Sequence, residues 1–108
     1  MPTNHAGMTE SWLDVADRTA FARAVGQTLR TIRVSLGWRL ADAAQLVGLS
    51  PSQLCRLELG ARPIGMGRLV LLCGALGIAP SEVIATAERD AFPLGWPAQN
   101  LASHSPAV

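Results

Sequence analysis

Between Phe21 and Ala87 the apolar residues recur every three or four positions, and the runs are cut by glycine or proline. That is the period of helices with one buried face, and not the alternation of half-buried strands. Five helices are predicted. The first opens after Asp17, read as its N-cap, and carries Phe21, Val25, Leu29, Ile32 and Leu36 as one stripe up to Gly37. The second runs from about Leu40 to Val47, with Leu40, Ala43, Ala44 and Val47 inward, and Gly48 stops it. The third has the clearest start. Ser50 is a capping residue, Pro51 takes the first helical position where no N–H is needed, and Gln53 can complete a capping box. Leu54 and Leu57 face inward and Gly60 ends the helix. The fourth covers roughly Met66 to Leu76 and ends at Gly77. The fifth starts at Pro80 and reaches about Arg89, with Val83, Ile84 and Ala87 inward.

Residues 1–16 read as an N-terminal extension in which Trp12, Leu13 and Ala16 form a short apolar face that packs on the domain. Residues 91–108 read as a tail. It carries Phe92, Leu94 and Trp96 as isolated anchors, and Pro93, Pro97 and Pro106 argue against helix there. Residues 17–90 are then one domain, and 108 residues suit one modest core. The chain has no Tyr and only 5% aromatic residues, a mix that suits helices better than a sandwich or barrel. The expected class is all-α.

No apolar run approaches the ~20 residues that span a bilayer. The longest, Leu69 to Ile78, contains two glycines. Met1 to Glu10 lacks the basic start and apolar centre of a secretion signal, so a soluble cytoplasmic protein is expected. Cys55 and Cys73 are expected to remain thiols, in the core or on the surface. His5 and His104 lie in the flanks, and no Cys/His pair has ligand spacing, so neither metal nor cofactor is expected. There is no nucleophile–base pair, no paired carboxylates in a plausible pocket and no Gly-rich phosphate loop. Gly65-Met66-Gly67 is too short to be such a loop. An enzyme is not expected.

Charge sharpens the picture. The net charge of +1 hides an uneven distribution. Residues 18–62 carry Arg18, Arg23, Arg30, Arg33, Arg39, Arg56 and Arg62 against only Asp42 and Glu58. Residues 1–17 are acidic, and 63–108 net −1. Positive charge is gathered in one central segment, as a phosphate-binding face requires. In that segment the second and third helices are joined by Gly48-Leu49-Ser50. A short turn with Gly between two small helices is the mark of a helix-turn-helix, although ordinary helical hairpins share it. The small Ala43 and Ala44 allow close approach, and Leu49 plugs the corner.

The wider pattern is more specific. Val25-Gly26, Leu29, Ile32-Arg33, Gly37, Ala43-Ala44, Gly48-Leu49-Ser50, Leu54, Arg56-Leu57-Glu58, Gly60, Leu69, Leu72-Cys73 and Ala75-Leu76-Gly77 together resemble the Cro/C1-type (XRE) helix-turn-helix family over about Phe21 to Ala87. The resemblance implies a compact five-helix domain, like that of the lambda repressor, which binds operator DNA as a dimer. The third helix would lie in the major groove. Ser50, Pro51, Ser52, Gln53 and Arg56 stand at the family's DNA-facing positions. Gln53 would pair with adenine and Arg56 with guanine, Ser52 would bond a base or a phosphate, and Pro51 would offer apolar contact. Arg33 and Glu58 would be a partly buried ion pair that locks the first helix to the third. Phosphates would be met by Arg39, Arg62 and the start of the second helix. Leu40 departs from the family pattern, standing where a phosphate-contacting Gln is frequent. Leu59 and Ala61 replace polar or basic residues.

The fourth helix is apolar on both sides. Leu69, Leu72, Cys73 and Leu76 suit the core, while Val70, Leu71 and Gly74 fall opposite. A helix apolar all round is usually covered on both sides. The cover would come from a second subunit, through Val70, Leu71, Gly74, Val83 and Ile84, or from the chain's own extensions. The leading functional expectation is a sequence-specific transcriptional regulator, a repressor reading a palindromic operator with half-sites about 34 Å apart. The alternatives are an antitoxin that represses its own operon and meets its toxin through a tail, and a protein-interaction module that no longer binds DNA.

Overall fold

The computed structural model describes residues 15–95. Its secondary structure there is helical throughout, in the order α1 (Val15–Ser35), α2 (Leu40–Leu46), α3 (Pro51–Glu58), α4 (Met66–Leu76) and α5 (Pro80–Ala91). α1 packs along α5 and across α3, and α2 packs on α3 and α4. The expected all-α, five-helix architecture is what the chain forms. Among the described residues no single helix is long and apolar enough to cross a membrane.

The expected ends hold with small changes. Gly37, Gly48, Gly60 and Gly77 all have positive φ. At Gly48 the turn is closed twice, by Gly48 N–H to the Gln45 carbonyl at 3.2 Å and Leu49 N–H to the Ala44 carbonyl at 2.9 Å. This doubly closed left-handed ending satisfies carbonyls that the helix leaves unpaired, and only glycine enters it without strain. The same pair of bonds closes α1, α3 and α4. α1 begins at Val15, two residues before Asp17, so Asp17 is not its cap. It lies in the first turn, where a carboxylate faces the positive end of the helix dipole. Leu36 is also corrected. The turn at Gly37 carries it outward, and it is more than half exposed. α5 continues two residues past Arg89, to Ala91.

The core gathers residues from every helix. Leu29, Leu54, Leu72, Cys73 and Val83 are its largest fully buried side chains. Ala43 and Ala44 are wholly buried, as close approach of α2 requires. Leu40 is half-buried against the core, which explains an apolar residue at the start of α2. The Phe92 ring lies nearly parallel to that of Phe21, 6.3 Å between centroids, and so ties the end of α5 back to α1. Trp12, Leu13 and Trp96 lie outside the described residues. Both cysteines are free. Cys55 is half-buried, and Cys73 is in the core, where burial pushes its thiol pKa up.

Two contacts fix α1 on α3. The first is steric: a Cβ on Gly26 would collide with the backbone carbonyls of Leu57 and Glu58, so only glycine lets the helices approach this closely. The second is ionic. Arg33 Nε donates to Glu58 Oε2 at 2.6 Å and Nη2 donates to Oε1 at 3.0 Å. The remaining Nη1 donates to the Trp38 carbonyl at 2.8 Å. Both side chains are nearly buried, at 10% and 4% exposure. The planar guanidinium matches the carboxylate fork, which makes this the strong form of the pair. Hydrogen bonding to Glu58 raises the Arg33 pKa above its ordinary value against the opposing effect of burial, so Arg33 remains a cation.

Removing one partner strands a buried charge, which costs about 3–5 kcal/mol. Glu58→Ala is therefore expected to lower Tm on the order of 10 °C or more, read by circular dichroism. A Tm equal to that of the parent would contradict the account. Gly26→Ala should destabilise by about 1–3 kcal/mol through overpacking alone, with no change of charge. Chemical denaturation measures this, and an unchanged midpoint would show that α1 and α3 have slack.

Candidate nucleic-acid interface

α3 is built to present its start to solvent. Ser50 has extended backbone, and its hydroxyl oxygen accepts from Gln53 N–H at 3.1 Å. In return Gln53 Oε1 accepts from Ser50 N–H at 2.8 Å. The expected capping box is thus complete, with Pro51 in the first turn. Leu54 and Glu58 face inward, while Ser50, Pro51, Ser52, Gln53 and Arg56 are all exposed. The five residues expected to face DNA therefore share one open polar edge.

The cap has a chemical consequence. Bidentate pairing with adenine uses the Gln oxygen as acceptor and its nitrogen as donor. Here one lone pair of the oxygen is already engaged in the helix cap, which fixes how the amide is turned, and both N–H donors of Nε2 remain available. Arg56 makes no ion pair among the described residues and keeps its whole fork available.

Beside this edge lies a small polar notch of about 160 Å³, lined by Leu49, Gln53, Leu57, Arg62, Pro63 and Arg68, with Gly65 at its side. It brings Arg62 next to Gln53, as expected for a cation flanking a reading helix. It also contains Arg68, which the sequence did not single out. Arg68 Nε donates to the Val47 carbonyl at 3.3 Å, so α4 reaches across to the end of α2. A census of charge along the chain hides Arg68, because its neighbours beyond residue 63 net negative; only the fold returns it to the arginine-rich side.

Arg39 stands at the N-cap of α2 without a side-chain capping bond, and it is exposed. The first turn of α2 carries Asp42, whose charge opposes an anion there. Cation chemistry at this end thus falls to the Arg39 side chain. Leu59 and Ala61, at positions expected to be polar or basic, are exposed and supply no charge.

On the far side, Val70 and Leu71 are 56% and 58% exposed, and Gly74 faces open space. Val83 is fully buried in the chain's own core and leaves the expected dimer surface. Its position on α5 points toward α1, because the 83, 87 stripe serves that contact. Ile84 is half-buried and lines a cavity against α1.

Among curated proteins no match is found. Among solved structures, one of the clp gene regulator ClgR from C. glutamicum is 31% identical, with a TM-score of 0.59, covering 62% of this chain and 87% of that one. A second structure of ClgR from Corynebacterium glutamicum is 27% identical, with a TM-score of 0.64, covering 78% of this chain and 87% of the other. A family model described as a helix-turn-helix domain matches residues 24–85, which run from within α1 to within α5 and enclose the α2–turn–α3 unit, the polar edge and the notch. By that match the chain belongs to the helix-turn-helix domain family.

Proposed function

We propose that this chain is a sequence-specific DNA-binding transcriptional regulator that acts in the cytoplasm as a repressor and reads its operator with α3. The observation that carries this reading is the exposed polar edge of α3, held rigid by a complete capping box and flanked by unpaired arginines. The likeness to a gene regulator over most of the domain supports it. In this reading Arg56 takes guanine through both arms of its fork, a contact worth about 1–3 kcal/mol of discrimination. Gln53 donates from Nε2 to a base acceptor while its oxygen keeps the cap. Ser50, Pro51 and Ser52 set the contact of the helix tip with the groove. Arg39 and Arg62 take phosphates, joined by Arg68 from the notch.

The protein acts as a homodimer in this reading, as a two-fold operator requires. The surface for it is the outer face of α4, Val70, Leu71 and Gly74, with Ile84 at most at its margin. Leu71→Lys should shift the protein toward monomer in sedimentation at micromolar concentration and weaken binding to a two-half-site operator. A parent that sediments as a monomer and binds full sites undiminished would remove the dimer.

The test of reading is selection of bound sites from random duplexes, followed by single substitutions across a range of salt. Arg56→Ala and Gln53→Ala should relax preference at particular base positions. Arg39→Ala, Arg62→Ala and Arg68→Ala should weaken all sites alike, each flattening the slope of log K on log salt by roughly 0.9. Retention of site preference by the Arg56→Ala, Gln53→Ala double variant would overturn the assignment of α3. Failure of the parent to bind any duplex at low salt would overturn the function.

A further inference from the structure

Gln53 is bonded to Ser50 through both its backbone and its side chain. Its N–H donates to the Ser50 hydroxyl oxygen at 3.1 Å, and its Oε1 accepts from the Ser50 N–H at 2.8 Å. The second bond fixes which way the amide is turned. A backbone N–H can only donate, so the amide atom that faces it is the oxygen. Turning the amide over would set Nε2 against the Ser50 N–H, donor against donor, and leave that N–H of the helix start without its partner. The side chain is exposed, and what it carries into the open is an amino group with two protons.

The neighbours of that amino group are donors too. Gln53 borders the polar notch together with Arg62 and Arg68, both exposed, and Arg56 is exposed three residues further along α3. The one carboxylate of α3, Glu58, is buried and engaged by Arg33, so the helix brings no carboxylate to its open edge. Bases differ in what they show such a surface. In the major groove guanine presents two neighbouring acceptors, O6 and N7. Adenine sets a donor beside its N7, thymine has the single acceptor O4, and cytosine shows a donor. Two protons on one nitrogen match O6 and N7 of guanine together. Pairing with adenine takes the Gln oxygen and nitrogen side by side on the outer edge, whereas here the oxygen is turned back onto the backbone.

We propose that Gln53, locked by the capping box as a double donor, selects guanine, where its residue type alone suggests adenine. The half-site then carries two guanines, one met by Gln53 and one by Arg56. The two residues are about 4.5 Å apart along the helix axis, a little over one base step of about 3.4 Å, so the guanines lie within two steps of each other. This rests on the reading of DNA by α3 and adds the base to it.

The test uses the full chain. Selection from random duplexes with the parent and with Gln53→Ala finds the base pair whose preference the substitution relaxes. A G·C pair is expected there, favoured by the parent over A·T by about 5- to 100-fold in Kd. Replacing its guanine with 7-deazaguanine, which lacks the N7 acceptor, should weaken the parent and leave Gln53→Ala unchanged. Gln53→Glu separates cap from reading. Its carboxylate still accepts from the Ser50 N–H, so Tm should hold, but both donors are gone and the preference for guanine should vanish. Should that variant lose stability, the 7-deazaguanine duplex decides. An A·T pair at the relaxed position would overturn the proposal and leave the reading of DNA by α3 standing. The same follows if 7-deazaguanine is bound by the parent as well as guanine, or if a stable Gln53→Glu still prefers guanine. Preferences of Gln53→Ala that match the parent at every position would make Gln53 a cap alone and overturn it equally. A parent without preference among duplexes at low salt would overturn the reading of DNA, and this with it.

Discussion

The close contact between α1 and α3 is the constraint on which the rest of the domain depends. A helix of eight residues has little stability of its own, since nucleation is costly and only a few internal bonds repay it. α3 holds its shape because it is pinned from three directions. Gly26 lets its last turn seat against the α1 backbone, Glu58 is clamped by Arg33, and Leu54 is buried among α1, α2 and the rest of the core. Arg33 also grips the Trp38 carbonyl, so one guanidinium joins the end of α1, the loop after it and the end of α3. The buried charges are matched within the pair, and among the described residues no buried side-chain nitrogen or oxygen is left without a partner. Such a pair contributes orientation more than net stability, because desolvation offsets much of its attraction.

Most of this architecture was legible in the residues. The helical period located all five helices, and the glycines marked four of the five stops, because a left-handed ending imposes a requirement that only glycine meets cheaply. Ser50-Pro51-Gln53 announced the start of α3 through local chemistry, and local chemistry is what a sequence displays best. The pairing of Arg33 with Glu58 was available only through the family resemblance, since nothing in the spacing of residues 25 apart states that they meet. Two readings failed for a shared reason: Asp17 and Leu36 were placed by propensity or periodicity, which give a face of a helix but neither where the helix begins nor where its last turn carries a side chain. Val83 was read inward correctly by its period, and only its second assignment, to a dimer surface, fails, because the core already uses it. Arg68 escaped notice for the converse reason: its partner at Val47 is 21 residues away, and its significance is wholly tertiary.

The polar edge of α3 shows how the demands of folding and of recognition compete for the same atoms. Ser50 and Gln53 stand where base edges would be met, yet both also satisfy backbone groups that a helix start leaves open. The side chain best placed to read is therefore also one that keeps the helix intact. Arg56 is not so burdened, because it sits later in the helix and takes part in no cap. The division is physical: under the proposed function, strong discrimination would fall to the unencumbered residue, and the encumbered ones would contribute donors and shape.

The hydrogen bond from Arg68 to the Val47 carbonyl has a mechanical meaning. α4 shows Val70 and Leu71 to the outside and, at Arg68 two residues before Val70, holds the Val47 carbonyl ahead of the turn that leads into α3. Whatever covers the outer face of this helix has, through the Arg68 side chain, one hydrogen-bonded link to the end of α2. A rotation of α4 would pull on that carbonyl, so under the proposed function a grip on Val70 and Leu71 would bear on how α3 is set against a duplex.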